Sequence, residues 1–495
     1  MKIALLQCPV WWTVDPPLGL AQIAGVLAHH GHEVQVHDLN ILLAKSRVPG
    51  YEHAWDWERF HEWNDPVFVR RFYADHARIV GERLQSILKS DARLIGFSVC
   101  AGGKIASLEL ARRIKAEDPS RVTVFGGQQF FSQDSARALL EDPAVDAVLR
   151  GPGDEVFPAL AAGLEAKGEL PALAGMLVRR EGRVIDGGPP RMLKDLDALP
   201  FADFSGFPLE LYDVQERLPI QASRGCVWDC RFCSSKPLWG GYASMSGERV
   251  FAELLAHKKR YPWKTHFEFY DLTANGDVRA LGRLAELICE DRRVNGAAHF
   301  FGWKINAILR PEMEPGLLAC LRKSNCHDVI YGVESASPAV LKRMNKPFSI
   351  STAERVLRDT HAAGITTVGN FMFGFPGETE EDFQQTLDFL RRNHASFDRV
   401  YGSATFTSLE EGSALAARPE DFGIRRMVSG AQHHLYWETE DGKNDYLVRL
   451  DRYERFRRLA IELGIDAYKG IDGSLDEERA RNVEQYRRFR CEVKK

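Results

Sequence analysis

Eight residues, Cys226-Val-Trp-Asp-Cys230-Arg-Phe-Cys233, constrain this chain more than any other stretch. They follow the short apolar run Pro219-Ile-Gln-Ala and a glycine, Gly225. A strand ending in a glycine turn delivers all three thiols to one loop, where they can converge on a metal centre. Thiolates are soft ligands that hold zinc or iron–sulfur clusters. A structural zinc needs four closed ligands, and no second Cys pair or Cys/His pair follows at a suitable spacing. A cubane cluster carried by three cysteines leaves one iron without a protein ligand. A small molecule can chelate that open corner.

The rest of the chain frames this loop. Its 495 residues exceed one ordinary domain, and two or three are expected. Lys+Arg 65 against Asp+Glu 69 gives a net charge of −4, which argues against a protein held to nucleic acid or a membrane surface by bulk charge. No apolar run approaches the roughly 20 residues of a membrane span. Met1-Lys-Ile-Ala-Leu-Leu-Gln7 reads as a first strand, not a signal peptide. Nine cysteines in so long a chain do not make a disulfide scaffold, and the expected compartment is the reducing cytoplasm.

Residues 1–165 alternate strand and helix. Strands are expected at Lys2–Gln7, Glu33–Asp38, Leu94–Val99, Val122–Phe125 and Val145–Leu149, with helices over Leu18–His29, from Ile105 to Ala116, and after Gly153-Asp-Glu155. This pattern predicts an α/β, Rossmann-like, doubly wound parallel sheet whose ligand lies beyond the strand carboxyl ends, where the glycines cluster. No G-x-G-x-x-G follows the first strand, and there is no P-loop. Residues 43–90 interrupt the sheet with Trp55, Trp57, Phe60, Trp63, Phe68, Phe72 and Tyr73, and predict an inserted helical cap whose aromatics pack within it or, as the alternative, cover a ligand.

Residues 166–215 read as a linker with a small hairpin, Met176–Arg179 and Arg183–Ile185. From 216 to 415, strand–helix units recur at roughly 30-residue spacing and predict a barrel or partial barrel, with function at the strand carboxyl ends. Residues 416–495 read as mainly helical. Within them, His433-His434-Leu-Tyr-Trp437 is expected to close the substrate opening.

The cysteine stretch, with Phe232 before its last cysteine, resembles the signature of the radical S-adenosylmethionine superfamily. That resemblance implies that Cys226, Cys230 and Cys233 bind a 4Fe–4S cluster whose open iron is chelated by S-adenosylmethionine. It also implies a TIM-like partial (β/α)6 barrel. Gly332-Val-Glu334-Ser335 matches the fourth-strand motif whose glutamate hydrogen-bonds the ribose. Gly374-Phe-Pro376-Gly377 matches the loop that meets the adenine. Asp271, at the end of the second strand, lies where the family contacts the methionyl amine, a sensible place for a carboxylate.

The first domain is similar to the cobalamin-binding domain that precedes the barrel in the large cobalamin-dependent class. The match rests on Pro16-Pro17-Leu18-Gly-Leu20, Gly31-His-Glu-Val34, Phe125-Gly126-Gly127 and Val145 through Glu155. It implies a corrin surrounded by Pro17, Leu18, Gly126, Gly127, Gln128, Gly151, Gly153 and Glu155. Two departures stand out. No Asp-x-His-x-x-Gly is present, so a histidine lower ligand is not supported, and Gln128-Gln129 stand where the class often has proline and histidine.

Together these resemblances imply a radical C-methyltransferase. A 5′-deoxyadenosyl radical would abstract hydrogen from an unactivated carbon, and methylcobalamin would donate the methyl. Ring formation, oxidation or carbon–carbon coupling on the same cofactors is the alternative. Partners implied are a small-molecule or peptide substrate and an external electron donor such as flavodoxin or ferredoxin. No residue is singled out as a catalytic proton donor or acceptor.

Overall fold

The computed structural model describes all residues except 47, 131, 297–299, 404–405, 427–433, 468–473 and 494–495. The chain divides into two compact units, Met1–Pro219 and Ile220–Lys495.

The first unit is built on one seven-stranded sheet. Its strands are β1 (Lys2–Gln7), β2 (Glu33–Asp38), β3 (Leu94–Ser98), β4 (Val122–Gly126), β5 (Ala147–Leu149), β6 (Met176–Arg180) and β7 (Arg183–Asp186). The spatial order is β2-β1-β3-β4-β5-β6-β7, with parallel pairing from β2 through β5. Five of the six residues of β1 are buried, as a central strand covered on both faces requires. The strand order reverses between β1 and β3, so the carboxyl-end loops there form the crevice in which a doubly wound sheet binds its ligand.

The hairpin expected inside a linker belongs instead to this sheet: β6 pairs antiparallel with β5, and β7 with β6. The outermost strand, β7, is mostly exposed, so its sequence lacks the apolar run that marks the inner strands.

Residues 43–90 form the expected helical cap, with a 3-10 helix over Trp57–Asn64 and α-helices over Pro66–Asp75 and Ala77–Lys89. Trp63, Phe72 and Tyr73 are fully buried. Trp63 Nε1 donates to the Ala54 carbonyl at 2.8 Å, and Tyr73 donates to that of Ala106 at 3.1 Å. Trp63, Phe72 and Tyr73 therefore form core. Each large ring stabilises the fold by about 1.5–3 kcal/mol through burial.

Another seven-stranded sheet comprises β8 (Arg217–Ile220), where the chain passes from the first unit into the second, and, within the second unit, β9 (His266–Phe269), β10 (Gly302–Ala307), β11 (Cys326–Glu334), β12 (Thr366–Phe371), β13 (Arg399–Gly402) and β14 (Asp466–Ala467). Spatial order follows chain order throughout, and pairing is parallel from β9 to β14. Helices fill the crossovers, among them Gly247–Arg260, Val278–Asn295, Ile350–Ala362 and Glu380–Asn393. Such connectivity is that of a (β/α) barrel. Among the described residues, the outer strands β8 and β14 are not paired with each other, which leaves the barrel open there. Six strands were expected; the short β14 is a seventh. It follows the helix Tyr446–Glu462 and precedes the last helix, Ser474–Val493.

The expected aromatic lid is not a lid. His433 lies outside the described residues, and Trp437 is wholly buried. Its Nε1 donates to the Thr407 carbonyl at 2.9 Å, and the Arg449 guanidinium stacks 3.8 Å from its ring centroid. A large apolar ring with its one polar atom satisfied is more stable in the core than at an opening.

Candidate metal centre

The cysteine loop begins where Ser223–Arg224 pairs antiparallel with Ala243–Ser244, a two-rung ladder that closes the loop at its base. Cys226, Cys230 and Cys233 are half-buried free thiols. The Trp228 N–H points at Cys226 Sγ and the Ser235 N–H at Cys233 Sγ, each at 3.4 Å. Such donors favour the ionised sulfur. Burial acts the other way and pushes Cys230 up to about 12, with the sulfurs of Cys233 and Cys226 adding to the rise. Cys233 is raised as well, first by burial. Cys230 and Cys233 therefore keep their protons until a cation replaces them. Among the described residues, no three His, Cys, Asp or Glu side chains close on a single ion. An all-thiolate set of this kind suits a multi-iron cluster, with each sulfur on its own iron, better than a zinc clip.

The loop is docked on the segment that follows the helix Pro338–Met344, a segment that sequence reasoning passed over. Arg231 N–H donates to the Met344 carbonyl at 3.0 Å, and Asn345 Nδ2 to that of Asp229 at 2.7 Å. Asn345 caps the helix in the left-handed conformation, φ 60°. The signal was present as Asn345-Lys346-Pro347, a cap followed by a helix stop. Phe232 packs on an apolar cluster that includes Met344, Val340 and Phe375, which anchors the cysteine loop.

Glu334 ends β11 at a register shift, and its backbone is left-handed, φ 65°. That conformation costs a non-glycine residue about 1–2 kcal/mol, and bulges of this kind re-aim side chains at functional sites. Lys346 holds the re-aimed carboxylate: its Nζ lies 3.2 Å from Glu334 Oε1 and 2.6 Å from the Gly332 carbonyl. A Cβ on Gly332 would stand 2.8 Å from Glu334 Oε1 and 3.1 Å from Lys346 Nζ. The glycine two residues before the glutamate leaves room for this pair.

Other expected ligand contacts have different jobs. Asp271 lies just past β9 and is 1% exposed. Its carboxylate accepts from the Ala222 N–H at 3.1 Å and from the Ser223 hydroxyl, while its carbonyl accepts from Asn306 Nδ2 at 3.1 Å. Burial pushes it up to about 6. Asp271 therefore ties β9 to the strand entering the cysteine loop and is not presented to a methionyl amine. Ser335 is fully buried; its Oγ accepts from the Ser337 N–H at 3.2 Å and faces Thr386 Oγ1 at 3.4 Å.

The backbone of Gly374 is engaged from behind. Its N–H donates to Glu378 Oε2 at 2.7 Å, and its carbonyl accepts from Asn444 Nδ2 at 2.8 Å. Pro376 is buried. Residues Gly374 and Pro376 thus shape the loop rather than offer it to an adenine.

In the first unit the expected corrin-facing residues gather at the carboxyl ends of β1, β4 and β5. Pro17 is buried and caps the helix Leu18–His29, its carbonyl accepting from Leu20 and Ala21 at 3.1 Å. Leu18, Gly126, Gly151 and Gly153 are half-buried; Gly127, Gln128 and Glu155 are exposed. The exposed side chains Gln128, Gln129 and Trp12 offer amides and a flat ring, which fit the amide-fringed face of a corrin.

A cavity of about 530 Å³ lies elsewhere, lined by Cys289, Arg292, Arg293, Gly296, Phe300 and Lys323. Phe300 and Lys323 precede β10 and β11, so it sits at the strand amino ends, whereas barrel chemistry sits at the carboxyl ends.

Residues 220–390 match the Radical SAM superfamily model. An uncharacterised methyltransferase of Pyrococcus horikoshii is 25% identical over 427 residues, covering 84% of this chain and 82% of the relative. The anaerobic magnesium-protoporphyrin IX monomethyl ester cyclase of Synechocystis is 23% identical over 380 residues, covering 76% of this chain and 68% of the relative. Among solved structures, the radical S-adenosylmethionine methyltransferase TsrM of Kitasatospora setae, with cobalamin and a [4Fe-4S] cluster bound, superposes with a TM-score of 0.66. It covers 100% of both chains at 14% identity, a likeness of fold. With the cysteine loop, the re-aimed Glu334 and the barrel strands in place, residues 220–390 of this chain form a radical S-adenosylmethionine domain.

Proposed function

We propose that this chain is a cobalamin-dependent radical S-adenosylmethionine enzyme that methylates an unactivated carbon. The observation that carries the reading is the donor set: three half-buried thiols on one loop, docked beside a carboxylate that the backbone is strained to aim. The fold likeness to TsrM over the whole chain and the methyltransferase relative support the cobalamin and methyl-transfer parts. On this reading the cobalamin-binding domain takes in the hairpin through Asp186.

Cys226, Cys230 and Cys233 would hold the cluster, and the face around Leu18, Gly126, Gly127, Gln128, Gly151, Gly153 and Glu155 would receive the corrin. When bound, these groups supply the electron that cleaves S-adenosylmethionine to a 5′-deoxyadenosyl radical and the methyl that a carbon radical can accept. The protein's own part is positional. Glu334 accepts hydrogen bonds from ribose hydroxyls, Lys346 holds that carboxylate in place, and Phe232 with Phe375 provides an apolar wall that excludes water. The substrate is a small molecule or peptide, and the electron comes from an external donor such as flavodoxin or ferredoxin.

The cyclase relative favours a second reading, radical chemistry without net methyl transfer on the same cofactors. Product analysis separates the two. The protein is reconstituted anaerobically with iron, sulfide and hydroxocobalamin, then given reductant, S-adenosylmethionine and candidate substrates. Retained corrinoid with both 5′-deoxyadenosine and S-adenosylhomocysteine supports the methyltransferase. Turnover of a substrate with 5′-deoxyadenosine alone contradicts it and supports the second reading.

A further inference from the structure

We infer that Lys346 is a positioning residue that couples Glu334 to the cysteine loop and raises the reduction potential of the cluster bound there. The inference rests on the reading of Cys226, Cys230 and Cys233 as cluster ligands.

Lys346 is only 7% exposed. Lysine is rarely buried so deeply unless it is paired, because burial strips water from its charge. Its ammonium meets two acceptors, the Gly332 carbonyl and Glu334 Oε1. It also lies 5.6 Å from the Trp228 ring centroid and 5.8 Å from that of Phe348. Those two rings stack on each other at 5.9 Å with 20° between planes. Trp228 is itself part of the cysteine stretch, two residues from Cys226 and two from Cys230. One cation therefore touches the β11 bulge on one side and the cysteine loop on the other.

This placement has an electrostatic consequence. Lys346 and Glu334 carry opposite charges, and the ammonium stands over the ring of Trp228, which lies between Cys226 and Cys230 in the chain. Of the other charges near the loop, Arg343 pairs with Asp382 at 3.1 Å and Asp229 with Lys236 at 2.9 Å, while Arg231 donates to the Arg343 carbonyl at 3.1 Å and lies over the Phe422 ring. A fixed positive charge in a weakly screened site stabilises each electron added to a neighbouring cluster. Glu334 alone would do the reverse, so Lys346 allows a carboxylate to stand beside the cluster without making it harder to reduce.

The test compares the full reconstituted chain with Lys346→Gln and Lys346→Arg. Gln keeps a donor for the Gly332 carbonyl and drops the charge; Arg keeps the charge. The midpoint potential is read by redox titration followed by electron paramagnetic resonance, with iron content measured on each sample. Lys346→Gln should lower the reduction equilibrium on the order of tenfold, about 59 mV for one electron. Lys346→Arg should stay near the parent. The double variant Glu334→Gln/Lys346→Gln should recover part of the loss, since the repelling carboxylate is gone. A Lys346→Gln protein that folds but loses iron, while Lys346→Arg retains it, supports the coupling to the cysteine loop. Lys346→Met replaces it if Lys346→Gln does not fold. Unchanged potential in the neutral variant, or equal loss in Lys346→Arg, overturns the inference. Failure of the parent chain to assemble a four-iron cluster would instead overturn the reading of the cysteines, and this inference with it.

Discussion

The side-chain amide of Asn444 donates to the carbonyl of Gly374 at 2.8 Å, although the two residues are 70 positions apart. The loop after β12 is therefore set from behind by the C-terminal region. Arg449 closes the arrangement, donating to Asn444 Oδ1 at 3.2 Å and to the carbonyls of Leu435 and Trp437 at 2.9 Å. Gly374 has φ 69°, and a Cβ there would stand 2.2 Å from Arg449 Cγ. Gly374→Ala is expected to cost about 2–4 kcal/mol, more than the strained backbone alone, because the buried arginine must also move. Gly377→Ala is the control: it is equally left-handed at φ 77°, but it meets only the Arg343 side chain, at 3.3 Å. Urea unfolding of both variants checks the order.

Gly332 offers a test on affinity rather than folding. The groups its Cβ would meet, Glu334 Oε1 and Lys346 Nζ, are ends of flexible side chains. Gly332→Ala should leave the unfolding midpoint nearly unchanged and weaken S-adenosylmethionine binding on the order of tenfold, through displacement of Glu334. Equilibrium binding to the reconstituted protein reads this directly.

Asp271 gives a pH dependence of definite sign. Its folded value, about 6, lies above the ordinary carboxyl value of 3.8. The native state therefore holds the proton more tightly than the unfolded chain. That contribution is complete below about 4 and is lost as pH rises through 6. Asp271→Asn should gain stability relative to the parent between pH 5 and pH 8, by roughly 1–2 kcal/mol. Unfolding curves at the two pH values provide the measurement.

Trp437 separates a core role from a substrate role. Trp437→Ala is expected to destabilise the second unit by about 3–5 kcal/mol, the usual loss for a buried tryptophan. A milder Trp437→Phe should fold and turn over the same substrates. A changed substrate range in Trp437→Phe would restore the lid.

Much of this was legible in the sequence, and the exceptions have physical reasons. Strands such as Lys2–Gln7 and Val122–Gly126 are short apolar runs ended by turns, so both the doubly wound sheet and the barrel could be read from them. The hairpin Met176–Asp186 was misassigned because an exposed edge strand such as Arg183–Asp186 has the composition of a linker. Asp271 and Trp437 were placed correctly in the chain but given the wrong neighbours. A strand-end carboxylate looks the same in sequence whether it faces a ligand or the preceding strand. Lys346 went unnoticed because the three-residue turn that carries it has no periodicity, and its importance comes from Trp228, more than a hundred residues earlier.

The central claim is that Cys226, Cys230 and Cys233 carry a cluster open to S-adenosylmethionine. The most direct measurement is iron and sulfide content of the anaerobically reconstituted chain, with electron paramagnetic resonance after reduction, with and without S-adenosylmethionine. The account predicts about four irons per chain, a reduced-cluster signal that changes when S-adenosylmethionine is added, and loss of both in any of the three Cys→Ala variants but not in Cys100→Ala. A single zinc per chain, or a cluster signal indifferent to S-adenosylmethionine, would contradict it.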